Sequence, residues 1–347
     1  MDQEICKSVL SGDRLGPAAG LLRVALSAAS APYSAVMRAR RWCYAAGLRR
    51  AKGAPVPVIC VGNVTVGGTG KTPMVAWVVE QLKAAGAVPA VLTRGYKAVG
   101  GRSDEAELLK RLAGVPVIVD ADRLAGAAEA AERGANVCVM DDGFQHLRLR
   151  HDLDIVLIDA TNPFGYGRVL PRGLLREPLS ALRWAHALVI TRSDRVGTRT
   201  LEDIRRRLRR FAPRASLHAA VHEPACLIDE QGRQMPLSAL AGRRVCAFCG
   251  LGNPQPFFDL LHALGADVGA REALGDHAVY DSAALERLRK AASANRCLLF
   301  LTTQKDFVKL PAEQFPHPVW QLAVRMKITE GQEELIASLR GTLRRPQ

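Results

Sequence analysis

The stretch VICVGNVTVGGTGKTPMVAWVVEQL, residues 58–82, constrains the chain more than any other part of it. A short apolar strand runs straight through a glycine-rich turn into an apolar helix. Gly67, Gly68 and Gly70 let the backbone curl until its N–H groups face one point, and the positive end of the helix dipole adds to them. Such a turn cradles phosphate. Gly67, Gly68, Thr69, Gly70, Lys71 and Thr72 are the expected nucleotide-binding residues, with Lys71 reaching the β- and γ-phosphates and the Thr72 hydroxyl placed on Mg²⁺. The pattern G-x-x-x-x-G-K-[ST] is met except at its first glycine, where Thr65 stands.

From Pro57 onward, further short apolar runs alternate with helical stretches: VPAVLT, VPVIVD, NVCVMDD, DIVLIDA and ALVITRSD. Runs apolar at every position suit strands buried on both faces of a parallel sheet. The expected fold is therefore α/β, a P-loop NTPase-like, doubly wound and mostly parallel sheet with a second, smaller α/β domain. Residues 51–215 form the P-loop domain in this reading, the polar hairpin-like stretch 216–240 with its DEQG turn forms a link, and 241–347 form the smaller domain. In open sheets of this kind ligands sit at the carboxyl ends of the strands. The run NVCVMDD delivers Asp141 and Asp142 there, where carboxylates can hold Mg²⁺. Asp-Asp before Gly is also compatible with a plain turn.

The 347 residues include 48 Lys and Arg against 34 Asp and Glu, a net charge of +14. That field favours phosphorylated or anionic partners. Aromatics make up only 5%, and no basic run is interleaved with stacking residues, so nucleic acid is not an expected partner. The eight cysteines are scattered, several within apolar runs, and read as reduced core residues; the Cys246 and Cys249 pair lacks a second pair to complete a metal site. The polar, acidic opening MDQEICKS is not a cleavable signal, which leaves the protein expected in the cytoplasm.

Residues 1–50 are read as a basic, amphipathic membrane-surface segment belonging to the first domain. Arg23, Arg38, Arg40, Arg41, Arg49 and Arg50 are mixed there with Leu21, Leu22, Leu26, Val36, Met37, Trp42 and Tyr44. Cations above an apolar side suit a headgroup plane. The uncharged stretch Val24 to Met37 falls short of the roughly 20 residues a spanning helix needs, and Pro32 is expected to interrupt any single helix. A helix packed on the core with a solvated basic rim is the competing reading.

GNVTVGGTGKTP, RGY at 94–96, SDE at 103–105, DDGFQH at 141–146, LPRGLLREP at 170–178, GDH at 275–277 and TTQKDFVKL at 302–310 occur in that order. Together they resemble the tetraacyldisaccharide 4′-kinase family of lipid A biosynthesis, from about residue 15 to about residue 330. The resemblance implies transfer of the γ-phosphate of ATP, with Mg²⁺, to the 4′-hydroxyl of an acylated glucosamine disaccharide 1-phosphate at the cytoplasmic face of the inner membrane. It implies Asp104 as the base and His277 as its partner, Asp141, Asp142 and Glu177 as metal-side carboxylates, and Gln145, His146 and Arg176 lining the cleft. Arg176 suits the charge growing on the transferred phosphoryl.

Taken singly, these residues have plainer readings. Asp104 can cap a helix starting at Glu105, His277 can be a surface histidine, and Glu177 a loop charge. Two other functions also remain compatible with the residues. One is a membrane-attached P-loop ATPase or GTPase switch, since TRSD at 191–194 and TQKD at 303–306 faintly echo a guanine-reading loop; the other is a kinase of a soluble metabolite.

Overall fold

A computed structural model of the protein describes residues 8–95, 104–275 and 278–344. These form two compact units. The first takes the described residues within Met1–Gly95, Leu112–His222 and Met326–Gln347, the second those within Tyr96–Arg111 and Glu223–Arg325.

In the first unit, parallel strands β1 (Val58–Asn63), β2 (Pro89–Thr93), β3 (Val117–Val119), β4 (Val137–Asp141), β5 (Leu153–Asp159), β6 (Ala187–Thr191) and β7 (Ser216–Ile228) lie in the order β7-β6-β5-β1-β4-β2-β3. β1, β2, β4 and β6 are buried at every position, as uniformly apolar runs require. The chain builds outward from β1 through β2 and β3, returns to β4, then crosses to β5 on β1's other side. The sheet therefore reverses direction beside β1, which puts the glycine turn at its switch point. The sheet is covered by helices that include α2 (Lys71–Ala84), α4 (Arg123–Glu132), α5 (Thr198–Phe211) and the final helix α9 (Gln332–Leu343), which packs on α2 and β5.

Before the sheet comes α1, Pro17–Ala45, a single helix that continues through Pro32. The expectation that Pro32 would interrupt it is wrong. A proline inside a helix costs about 3 kcal/mol, but here tertiary anchors hold both halves. Ser30 Oγ donates to Val169 O at 3.1 Å, Tyr33 OH to Arg176 O at 2.8 Å and Arg40 to Gln145 O at 2.8 Å, all on loops of the same unit. Among the described residues no helix is long and apolar enough to cross a membrane.

The second unit has parallel strands β9 (Arg244–Cys249), β10 (Asp267–Ala273), β11 (Phe300–Thr303) and β12 (Val319–Glu330) in the order β10-β9-β11-β12. Its helices include α3 (Asp104–Ala113), which begins in it, α6 (Gln255–Ala263), α7 (Ser282–Ala294) and the single turn α8 (Gln304–Phe307). β9 divides two cores: Val245, Ala247 and Cys249 face one, Cys246 and Phe248 the other. Cys246 and Cys249 thus point to opposite faces, and every described cysteine is free.

The stretch 216–240 forms a hairpin, and the boundary between the two units falls within it, after His222. It is β7, a tight turn in which Asp229 accepts from the amides of Gln231 and Arg233, and a short returning strand β8 (Gln234–Met235). Residues 241–347 do not stay together. From Met326 the chain rejoins the first unit, where Leu335 and Leu339 of α9 are buried.

Candidate active site

β1 ends in Asn63, whose fully buried side chain folds the loop back on itself. Its Nδ2 donates to Thr65 O at 2.8 Å and to Thr69 Oγ1 at 3.0 Å. Thr65 is tolerated where the pattern has glycine because it does not take a positive φ. It instead forms an antiparallel bridge to Leu175, flanked by Val66 N to Leu174 O and Arg176 N to Val64 O, each at 2.7 Å. The LPRGLLREP segment is thereby laced along the phosphate loop.

The positive φ values fall at Gly67 (122°) and Gly70 (90°). A Cβ on Gly67 or Gly68 would meet nothing within 4 Å, so the mouth of the loop is open. A Cβ on Gly70 would lie 2.5 Å from His222 Nε2. Gly70 is also the N-cap of α2, and no side chain caps that end, which leaves the first-turn amides to a ligand.

The last residue of β6 and the one after it brace the loop from behind. Thr191 Oγ1 donates to Thr69 O at 3.0 Å, and Arg192 Nη2 donates to Gly68 O at 2.8 Å while its other nitrogen pairs with Asp159 at the end of β5. Neither was assigned a role from the sequence, and TRSD itself was the only signal. Burial, aided by the Arg192 charge, pulls the His222 imidazole down to about 4, so it lies neutral against Gly70 at pH 7.

On the carboxylate side, β4 pairs with β1 so that Asp141 lies beside Val61. Asp142 follows with a φ of 53°, and the next turn passes so close to β1 that a Cβ on Gly62 would meet Phe144 Cβ at 2.6 Å. Arg176 Nη1 donates to both Asp142 oxygens at 2.8 Å, and Lys71 Nζ lies 3.6 Å from Oδ1. Burial alone would raise the Asp142 carboxyl, but the Lys71 and Arg176 charges outweigh it and hold the group below its usual range. Lys71, Asp142 and Arg176 therefore form one charge cluster at the mouth of the loop.

Gln145 donates to Asn63 O at 2.9 Å. His146 is drawn down to about 4 by burial and by the Arg123 charge. Glu177 is 1% exposed and pairs with Arg41 at 2.6 Å; Arg41 also donates to Phe144 O and lies over the Phe144 ring. Arg40 and Arg41 are thus spent inward on the loops, not on a basic outer surface.

By chemistry alone the expected metal-side donors suit Mg²⁺, although among the described residues Asp141, Asp142 and Glu177 do not come together as one close three-ligand group. Asp141, Asp142, Glu177 and Thr72 offer hard oxygens, and the buried Oε1 of Glu177 has no hydrogen-bond partner among the described residues.

Asp104 belongs to the second unit, as the first residue of α3. Its side chain is 61% exposed, with Lys309 Nζ 3.9 Å away. Lys309 comes from the TTQKDFVKL run and had no role in the sequence reading. His277 lies outside the described residues. Asp306 of TQKD cannot read a base: it is fully buried, accepting from Gly250 N at 3.0 Å and Thr303 Oγ1 at 2.7 Å.

A parallel sheet whose central strand feeds an uncapped helix through such a loop, with carboxylates on the neighbouring strand, defines a P-loop nucleoside triphosphate-binding protein. The sequence model of one family, tetraacyldisaccharide-1-P 4′-kinase, matches residues 22–344, and the chain belongs to that family. It is 39% identical over 320 residues to the tetraacyldisaccharide 4′-kinase of Anaeromyxobacter sp. (strain K), covering 86% of this chain and 84% of that one. With the enzyme of the same name from Syntrophus aciditrophicus it shares 40% over 305 residues, covering 79% and 81%. A crystal structure of LpxK from Aquifex aeolicus in complex with ATP superposes with a TM-score of 0.75 at 30% identity, covering 93% of this chain and 99% of that one.

Proposed function

We propose that the chain is an ATP-dependent kinase that phosphorylates the 4′-hydroxyl of a tetraacyldisaccharide 1-phosphate, a lipid A precursor. The observation that carries this is the Lys71–Asp142–Arg176 cluster at the mouth of a phosphate loop, in a chain that belongs to the 4′-kinase family over nearly its whole length.

The loop amides and the α2 N-terminus hold the β- and γ-phosphates of ATP. Lys71 exchanges Asp142 for phosphate oxygens, and Arg176 offers its guanidinium to the transferred phosphoryl. Asp141, Asp142, Thr72 and Glu177 are the residues that would hold Mg²⁺, which when bound neutralises charge between the phosphates. Asp104 takes the proton of the 4′-hydroxyl as the new O–P bond forms and the bond to the ADP oxygen breaks. His277 accepts or shares that proton, because an aspartate alone is a weak base near neutrality. Lys309 holds the Asp104 carboxylate in place by charge.

Membrane attachment belongs to the same proposal. Leu21, Val24, Val36 and Trp42 of α1 are 72%, 69%, 59% and 62% exposed, beside Arg38, Arg49 and Arg50. Apolar side chains flanked by cations suit the headgroup plane of an anionic leaflet. The cytoplasmic face of the inner membrane is where ATP and such a lipid meet.

The test is transfer of radiolabelled γ-phosphate from Mg²⁺-ATP to the lipid disaccharide in detergent micelles. Label should appear in the lipid with the wild type and not with Lys71→Ala or Asp104→Ala. A wild type that hydrolyses ATP and leaves the lipid unlabelled would sink the assignment. For attachment, Leu21→Gln/Val24→Gln/Trp42→Gln should lower sedimentation with anionic liposomes; unchanged sedimentation refutes the role of α1.

A further inference from the structure

Between the central strand β1 and the start of its neighbour β5, three ligand-forming side chains converge. Cys60 on β1 and Asp154 on β5 are register partners on adjacent parallel strands, so both side chains leave the same face of the sheet. His151, two residues before β5, places Nδ1 2.8 Å from Asp154 Oδ1. One ligand atom from each of Cys60, His151 and Asp154 lies within 4.8 Å of the others. The cluster is enclosed: Cys60 is fully buried, and the side chains of His151 and Asp154 are 6% and 13% exposed.

His151 Nε2 is buried and has no hydrogen-bond partner among the described residues. His186, just before β6, closes the outer side, its Nδ1 accepting from Asp154 N at 2.9 Å and lying 3.7 Å from Asp154 Oδ2. A cavity of about 1030 Å³, lined by His151, Asp154, His186 and Trp184 among others, opens beside the cluster and gives a route from solvent.

We propose that Cys60, His151 and Asp154 bind a thiophilic divalent metal ion of the zinc class. Thiolate, imidazole and carboxylate together match zinc's mixed N, S and O preference, whereas Mg²⁺ takes oxygen donors. Three protein ligands leave a fourth position towards the cavity. The site shares no residue with Asp141 and Asp142, which stand where β4 ends, or with Glu177 between β5 and β6, and its effect is to tie β1 to the start of β5. Without metal the same atoms make a plain hydrogen-bonded cluster, with the Cys60 thiol and the His151 N–H both on Asp154. On binding, the Cys60 S–H bond gives way to an S–metal bond and the thiol proton passes to solvent. Affinity therefore rises about tenfold per pH unit below the thiol's own ionisation.

The experiment uses the full chain, stripped with a chelator and free of nucleotide, titrated with Co²⁺ and then Zn²⁺. The wild type should take up one Co²⁺ per chain with an intense thiolate-to-metal charge-transfer band, which Zn²⁺ abolishes, and Zn²⁺ should raise its melting temperature. Cys60→Ala, its folding verified by circular dichroism, should lose the band and bind at least about 100-fold more weakly, since even outer-shell changes cost 10–100-fold. His151→Asn should weaken binding while keeping some of the band, because the thiolate remains. Absence of the band in the wild type, or a Cys60→Ala protein that binds as the wild type does, would overturn the proposal.

Discussion

Arg192 donates to the carbonyl of Gly68 at 2.8 Å while its other nitrogen pairs with Asp159, so one guanidinium at the end of β6 fixes the back of the phosphate loop to the end of β5. Charge-assisted hydrogen bonds contribute about 1.5–3 kcal/mol each, and this one acts on the loop's shape before any nucleotide arrives. Arg192→Leu should raise the KM for ATP about tenfold or more, with a smaller effect on kcat. Arg192→Lys should recover only part of that, because an ammonium cannot span both partners as a fork does. An unchanged KM in Arg192→Leu would show the brace to be dispensable.

Gly70 tolerates no side chain for two separate reasons, its φ of 90° and the His222 ring 2.5 Å from where a Cβ would stand. Gly70→Ala should destabilise the protein by about 1–3 kcal/mol in denaturant titration and abolish ATP binding. Adding His222→Ala should recover the steric part alone. Full recovery in the double variant would mean that the backbone conformation is not strained.

The Arg41–Glu177 pair is buried, its side chains 11% and 1% exposed. Removing one partner from a buried pair typically costs about 3–5 kcal/mol, because the other charge is left without compensation. Arg41→Met should show a loss of this size by chemical denaturation, and Arg41→Met/Glu177→Gln should regain much of it. A double variant no more stable than Arg41→Met would argue that the cost lies in α1 packing and not in the stranded charge.

Both His222 and His146 are held near 4 in the folded chain against an ordinary 6.5. Between those values the unfolded chain binds more protons than the folded one, so stability falls as pH drops from about 6.5 towards 4. His222, the more enclosed, contributes a slope of up to about 1.4 kcal/mol per pH unit in that window. Unfolding free energies measured at a series of pH values should show the decline, and His222→Gln should flatten it. A slope that His222→Gln leaves intact would assign the effect elsewhere.

The phosphate loop was legible because its residues are contiguous and each has a local reason to be there. Thr65 departs from the pattern without changing the outcome, since that position bridges to Leu175 in an extended conformation. The uniformly apolar strands were legible for the same local reason. What escaped was set by distance along the chain: Arg192 and His222 reach the loop from more than a hundred residues away, and no spacing rule connects Gly70 to His222. Pro32 misled because the anchors that outweigh it, Val169, Arg176 and Gln145, sit on remote loops. The Cys60, His151 and Asp154 cluster was invisible for a related reason. Cys60 reads as one more small core residue until β5 is laid beside β1.

The inward turn of Arg40, Arg41 and Tyr33 has a practical corollary. A truncated chain beginning after Ala45 would lack the counter-ion of Glu177 and the clasp on the DDGFQH loop, so whatever it lost in liposome binding or catalysis would report a damaged P-loop unit as much as a missing lipid anchor. The first helix is masonry in its own right, and the proposed mooring can be tested apart from that duty only by altering its outward face, residue by residue.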